Sequence, residues 1–177
     1  HLALYAGLCQ EIGLVPIVEP EVLMDGTHSI EECADVTLKT LKKVFMYLNE
    51  SNVYLEGIIL KPNMVLSGKE ANNRANTKLV AKKTIEVLKE SVPSEVPGIA
   101  FLSGGQADQE SIDNLNAINI EAKKENAPWE LTYSYGRGLQ SSPLQIWRGD
   151  SKNIKKAQKE FEKRGLAASL AREGLYK

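Results

Sequence analysis

Cysteine and histidine are scarce in this sequence. Its 177 residues include two cysteines, Cys9 and Cys33, and two histidines, His1 and His28. These numbers argue against a disulfide scaffold and against a zinc site built from Cys and His. Surplus charge is missing as well. Lysine plus arginine number 22 against 23 acidic residues, a net charge of −1. General nucleic-acid binding needs a basic excess, which this chain does not have. No apolar run approaches the roughly 20 residues of a membrane helix. The opening His1-Leu-Ala-Leu-Tyr5 has no basic n-region and is not a signal peptide. It lacks an initiator Met and reads as the inside of a helix, which predicts that the natural polypeptide extends further. Internal repeats, low-complexity segments and linkers are also absent.

What is present is ordinary for a soluble globular protein, with 42% hydrophobic and 25% charged residues. The length suits one domain with a sizeable core. Four short apolar runs read as strands: Gly13 to Glu21, Val53 to Lys61, Gly98 to Ser103 and Glu130 to Tyr135. Each is rich in β-branched or aromatic residues and bounded by Gly, Pro or polar residues.

Between them the apolar period becomes helical. Ser29-Ile-Glu-Glu32 is a capping-box pattern. Ile30, Cys33, Thr37, Leu41, Val44, Phe45 and Leu48 then form one stripe, which makes Cys33 a core residue. Val80, Thr84, Ile85 and Leu88 mark a second helix, and Ile112, Leu115, Ile118 and Ala122 a third. Leu139 to Trp147 predicts a short helix interrupted at Pro143. Ser151 is positioned to cap a last helix with Ile154, Ala157 and Phe161 inward and a solvated face of Lys152, Lys155, Lys156 and Lys159. Leu2 to Glu11 adds a helical fragment in front, and Pro62 to Asn76 reads as a long polar loop. His28 reads as a turn residue, and Trp129 and Trp147 as packing or subunit-contact residues. The order is β-α four times, which predicts an α/β fold with a parallel sheet.

Functional groups in such folds gather at the C-terminal ends of the strands. The first end carries Glu19 and Glu21, which lie two residues apart on a strand and so point to the same side. They are either rim carboxylates in water or an acid/base pair. The second end is Lys61, directly after an apolar run. It either reaches solvent or an ion-pair partner, or it serves as a desolvated nucleophilic amine. The third and fourth ends are Ser103-Gly104-Gly105 and Gly136-Arg137-Gly138. Each alone suits an ordinary strand-to-helix turn. Together they suit an anion cradle, with backbone N–H groups, a helix N-terminus and the Arg137 fork.

Five runs extend this picture: Val15-Pro-Ile-Val-Glu-Pro-Glu-Val22, Leu55-Glu-Gly-Ile-Ile-Leu-Lys-Pro-Asn-Met-Val65, Phe101-Leu-Ser-Gly-Gly-Gln106, Asn114-Leu-Asn-Ala-Ile-Asn119 and Ser134-Tyr-Gly-Arg137. In order and spacing they closely resemble class I fructose-1,6-bisphosphate aldolase, and the resemblance runs through Leu170-Ala-Arg-Glu-Gly-Leu-Tyr176. It implies a (β/α)8 TIM barrel of which residues 1–177 supply the C-terminal half, strands five to eight with their helices. It also implies a metal-independent lyase, with no cofactor, that cleaves fructose 1,6-bisphosphate to dihydroxyacetone phosphate and glyceraldehyde 3-phosphate in glycolysis and gluconeogenesis. Lys61 matches the Schiff-base lysine, Glu19 the acid/base glutamate, and Glu21 its partner that orients the lysine region. Ser103, Gly104, Gly136 and Arg137 match the phosphate-binding positions. The implied partners are the sugar-phosphate substrate, the N-terminal half of the barrel, further copies in a homotetramer and cytoskeletal proteins, in the cytoplasm, with no nucleic acid and no membrane.

Three departures accompany the resemblance. The family's other cationic and acidic site residues belong to the other half of the barrel. Its C-terminal tail with a terminal tyrosine does not follow Lys177. Gly138 and Ser141-Ser142-Pro143 replace an Ala-rich stretch. Two further readings therefore stand beside the leading one: a half barrel acting as a non-catalytic binding or assembly piece, and another Schiff-base aldolase on the same barrel.

Overall fold

A computed structural model describes residues 1–177. Four strands alternate with helices: β1 (Ile17–Val18), β2 (Ile59–Leu60), β3 (Gly98–Phe101) and β4 (Glu130–Tyr133). The helices are α1 (Leu2–Glu11), α2 (Ile30–Glu50), α3 (Thr77–Ser91), α4 (Asp108–Lys124), α5 (Arg137–Trp147) and α6 (Ile154–Arg172). The sheet order is β1-β2-β3-β4, with every pair parallel. Each strand therefore pairs with its sequence neighbour across a helical crossover, the arrangement the β-α alternation predicts.

The register sorts the residues into two faces. Val18, Leu60, Ile99 and Leu131 form one row, all buried. They pack with Leu41, Phe45, Ile85, Leu88, Ile112, Leu115 and Ile118 of α2, α3 and α4 into a single core. The neighbouring row begins with Ile17 and Ile59, on the face that the helices leave open, and Ile17 is 44% exposed.

The α2 stripe is as predicted, and its capping box is complete: the Glu32 N–H donates to Ser29 Oγ, and the Ser29 N–H donates to Glu32 Oε2. Those bonds hold the Glu32 carboxyl below its ordinary value. Cys33 is buried on that stripe, as expected.

Four expectations need correction. The strands are shorter than the apolar runs. In the second run Leu55–Gly57 forms a 3-10 turn, so only Ile59 and Leu60 pair as strand. Pro62 to Asn76 is not simply a polar loop, because Pro62 to Gly68 is buried throughout. Part of its backbone is satisfied by side chains: the Val65 N–H donates to Thr84 Oγ1 and the Leu66 N–H to Cys33 Sγ. Pro143 does not interrupt α5, which runs unbroken through it. Finally, α6 begins at Ile154 after a 3-10 turn capped by Asp150 rather than Ser151. Ile154 and Phe161 are 42% and 47% exposed, and the helix instead buries Arg164, Ala168 and Ala171. A cation inside α6 replaces the apolar stripe the sequence suggested. Trp129 is buried and donates from Nε1 to the Pro93 carbonyl, whereas Trp147 remains largely exposed.

Candidate functional site

The backbone at the C-terminal end of the sheet stays paired past the formal strands. The Lys61 N–H donates to the Val18 carbonyl, Leu102 to Pro62, and Ser134 to Phe101. These bonds carry the four strand ends into one continuous rim.

Lys61 and Glu19 meet on that rim. Nζ lies 2.9 Å from Oε1, with the lysine side chain 19% exposed and the glutamate 47% exposed. Of the two readings of Lys61 from sequence, the ion pair is realised, with the Glu19 carboxylate in direct contact with the amine.

Glu21 behaves differently. The strand ends at Val18, so Glu19 and Glu21 do not share a strand face. Pro20 stands between them without an N–H to continue the ladder. Glu21 is exposed, and the next residue turns inward, with the Val22 N–H donating to Asn63 Oδ1 at 2.9 Å. Glu19 is paired with Lys61, whereas Glu21 has no ion-pair partner.

Asn63 is a residue whose part only the structure shows. It is buried, and its Nδ2 donates to Thr37 Oγ1 and to the Met64 carbonyl. It joins the loop after β1 to the loop after β2, and so sets the relative placement of Glu19 and Lys61. The signal in the sequence was an amide directly after Lys61-Pro62, in the middle of a buried run.

The third strand end turns through Gly104 and Gly105 at φ 58° and 80°, in the left-handed region that glycine adopts without strain. Gln106 closes the turn. Its backbone N–H and its Nε2 both donate to the Ser103 carbonyl, and its Oε1 accepts from Asn114 Nδ2 at 2.8 Å. Ser103, Gln106 and Asn114 are all buried. This network fixes the loop from behind, and its two amides stand in the motif runs with no role legible from spacing.

The fourth end lies directly against the third. Gly136 precedes α5, and Arg137 opens the helix, exposed and without an ion-pair partner. A Cβ on Gly138 would approach Ser103 Cβ at 3.1 Å, Ser111 Oγ at 3.2 Å and the Tyr135 ring at 3.3 Å. Glycine here lets the Gly136-Arg137 turn rest on the Ser103-Gly104 loop. Tyr135 is buried beneath, donating its hydroxyl to the Ser111 carbonyl, and burial pushes its ionisation far up. The four candidate anion-binding residues thus come from two touching loops, with the N-terminal end of α5 and the free guanidinium at the surface.

No group of three or more His, Cys, Asp and Glu side chains is arranged to hold a metal ion. No helix is long and apolar enough to cross a membrane. One cavity of about 500 Å³ lies between α1 and α2, and an open one of about 310 Å³ between α5 and α6.

Comparison with known proteins agrees with the strand-end motifs. The family model for class-I fructose-bisphosphate aldolase matches residues 1–177. A cytosolic fructose-bisphosphate aldolase of Arabidopsis thaliana is 50% identical over 177 residues, covering 99% of this chain and 44% of the relative. Fructose-bisphosphate aldolase B of Bos taurus is 49% identical, covering 99% of this chain and 48% of the relative. A solved fructose-bisphosphate aldolase of Plasmodium falciparum, crystallised with TRAP and a small-molecule inhibitor, superposes with a TM-score of 0.95 at 50% identity. That match covers 99% of this chain and 50% of the solved one. The chain belongs to the class I fructose-bisphosphate aldolase family and spans about half the length of its relatives, their C-terminal half.

Proposed function

We propose that residues 1–177 are the C-terminal half of a TIM-barrel aldolase and carry its nucleophile. The activity is the reversible cleavage of fructose 1,6-bisphosphate to dihydroxyacetone phosphate and glyceraldehyde 3-phosphate, a lyase step of glycolysis and gluconeogenesis. The observation that carries this reading is the 2.9 Å contact between Lys61 Nζ and Glu19 Oε1 on the same rim as the two glycine loops.

Transfer of one ammonium proton from Nζ to Oε1 leaves a neutral amine beside a carboxylic acid. The amine attacks the C2 ketone. Glu19 returns the proton to the departing oxygen, water leaves, and a protonated imine forms on Lys61. The iminium accepts the electron pair of the C3–C4 bond as the C4 hydroxyl loses its proton to a base. The aldehyde departs, the resulting enamine is protonated at C3, and water hydrolyses the imine to free dihydroxyacetone phosphate. In this reading Arg137, Ser103, Gly104 and Gly136 hold a substrate phosphate, and Glu21 orients the lysine region. No step draws on a metal or an organic cofactor.

The reading includes the N-terminal half of the barrel as the cover for the open sheet face, a homotetramer, a cytoplasmic location and cytoskeletal binding. A second reading, a half barrel that only binds or assembles, is favoured by the exposure of Ile17 on that open face. Imine trapping separates the two. The full-length protein is mixed with dihydroxyacetone phosphate, reduced with borohydride, digested and read by mass spectrometry. A reduced adduct on the peptide containing Lys61 is the expected result. A folded protein without any adduct gives the lead to the binding piece.

A further inference from the structure

The buried cation in α6 belongs to a polar cluster that the mechanism above does not use. Arg164 is 9% exposed at its side chain, and its Nε and Nη2 have no hydrogen-bond partner. Its nearest opposite charge is Asp108, with Oδ2 4.0 Å from Nε. The same Oδ2 accepts from the Ser142 N–H at 3.2 Å and from Ser142 Oγ at 2.5 Å. Three helices therefore converge on one carboxylate oxygen.

The placement of these residues gives the cluster its meaning. Asp108 opens α4, the helix that follows the Ser103-Gly104-Gly105 turn. Ser142 lies on α5, the helix that Arg137 opens. The carboxylate thus bridges the helices behind the two anion-binding loops. The carboxylate lies in the first turn of α4 and 4.0 Å from the Arg164 guanidinium. Gly138 packed on Ser103 sets how closely the loops approach. The hydrogen bonds from Ser142 add a directional tie between α5 and the start of α4.

We propose that Asp108, acting through Ser142, is a positioning residue for the anion site: it holds α5 so that Arg137 and the N–H groups of both loops converge on one phosphate. This deepens the aldolase reading and rests on it for the identity of the substrate. Asp108 and Ser142 do not touch substrate in this account.

The test uses the full-length protein with inorganic phosphate as the probe, titrated by calorimetry. Ser142→Ala removes one donor and leaves the Asp108–Arg164 charge pair in place. Its phosphate affinity is expected to fall by up to about tenfold, the worth of the lost Ser142–Asp108 hydrogen bond when it is transmitted in full to the anion site. Ser142→Thr keeps the hydroxyl and is expected to restore binding. Asp108→Ala leaves Arg164 buried without a counter-charge, so failure to fold is a risk for that variant and not for Ser142→Ala. Borohydride trapping of unphosphorylated dihydroxyacetone on Lys61 is expected to be equal in the parent and in Ser142→Ala, because that ligand makes no phosphate contact.

Unchanged phosphate affinity in Ser142→Ala overturns the proposal. So does a parallel loss of phosphate binding and of dihydroxyacetone trapping, which marks a general structural role. A parent protein that binds no phosphate overturns both the positioning role and the anion site. If the parent traps nothing on Lys61 while Ser142→Ala still weakens phosphate, the aldolase reading fails and the positioning role stands.

Discussion

Glu19 and Lys61 come from adjacent strand ends, and their side chains meet at 2.9 Å while the glutamate keeps nearly half its surface in water. The partial exposure of the glutamate spares the pair much of the desolvation cost that full burial would impose.

Lys61→Met is expected to abolish borohydride-trappable adducts in the full-length protein without changing its far-UV circular dichroism. An adduct persisting in that variant would place the nucleophile elsewhere. Glu19→Gln keeps the size of the side chain but removes its proton exchange. Imine formation should slow by about 10²- to 10⁴-fold, the usual worth of a general acid/base, as read by rapid-quench trapping.

Arg137→Ala removes a charged donor that has no structural partner. The KM for phosphorylated substrate should rise about 10- to 100-fold, corresponding to roughly 1.5–3 kcal/mol for a hydrogen bond to a charged group. The melting temperature should stay at the parent value. Steady-state kinetics with thermal melting checks both parts, and an unchanged KM would remove Arg137 from the site.

Asn114→Ala leaves Gln106 Oε1 buried without its donor. The expected cost is about 1–3 kcal/mol of stability, measured by urea unfolding. The Ser103 loop should loosen along with it, seen as faster amide exchange at Gly104 and Gly105.

Gly68→Ala places a Cβ against the backbone carbonyl of Gly26, which cannot move aside as a flexible side chain would. The buried Pro62–Gly68 run must shift, at a cost of about 1–3 kcal/mol. Chemical denaturation checks this, and a neutral result would mean that the loop has slack the structure does not show.

The capping box gives a pH dependence with a definite sign. Glu32 is held below its ordinary value of 4.5, chiefly by the backbone N–H of Ser29. Its contribution is fully present above that value and is lost as the pH falls through the lower folded value. Glu32→Gln should therefore narrow the stability difference between neutral and strongly acidic solution. Ser29→Ala should cost about 1 kcal/mol at neutral pH. Urea midpoints at several pH values test both.

Much of the architecture was legible because its signals are local. The α2 stripe, the Ser29–Glu32 box and the four β-α alternations depend on spacing that any window of the sequence displays. The motif runs also carried Lys61 and Glu19. What escaped depends on tertiary context. Ile154 and Phe161 look like an inward stripe, but the pattern cannot say that α6 turns Arg164 and Ala168 to the core instead. Glu19 and Glu21 share a face only while a strand lasts, and the strand ends one residue before Glu19. The roles of Asn63, Gln106 and Asp108 rest on hydrogen bonds between segments far apart in the chain, which periodicity does not encode. The Pro62–Gly68 run shows the same limit, since part of its backbone is satisfied by side chains from α2 and α3.

The strictly sequential strand order bears on how the polypeptide is made. Each strand pairs with the one immediately preceding it, so every unit can dock as soon as its own crossover helix has left the ribosome. Among these four strands no pairing skips a neighbour, so each loop that must close spans a single crossover. The outermost strand at each stage presents its unpaired backbone to the next segment, acting as a template for parallel addition. The buried row Val18, Leu60, Ile99 and Leu131 takes one residue from each strand, so every unit that docks extends the same core by one position.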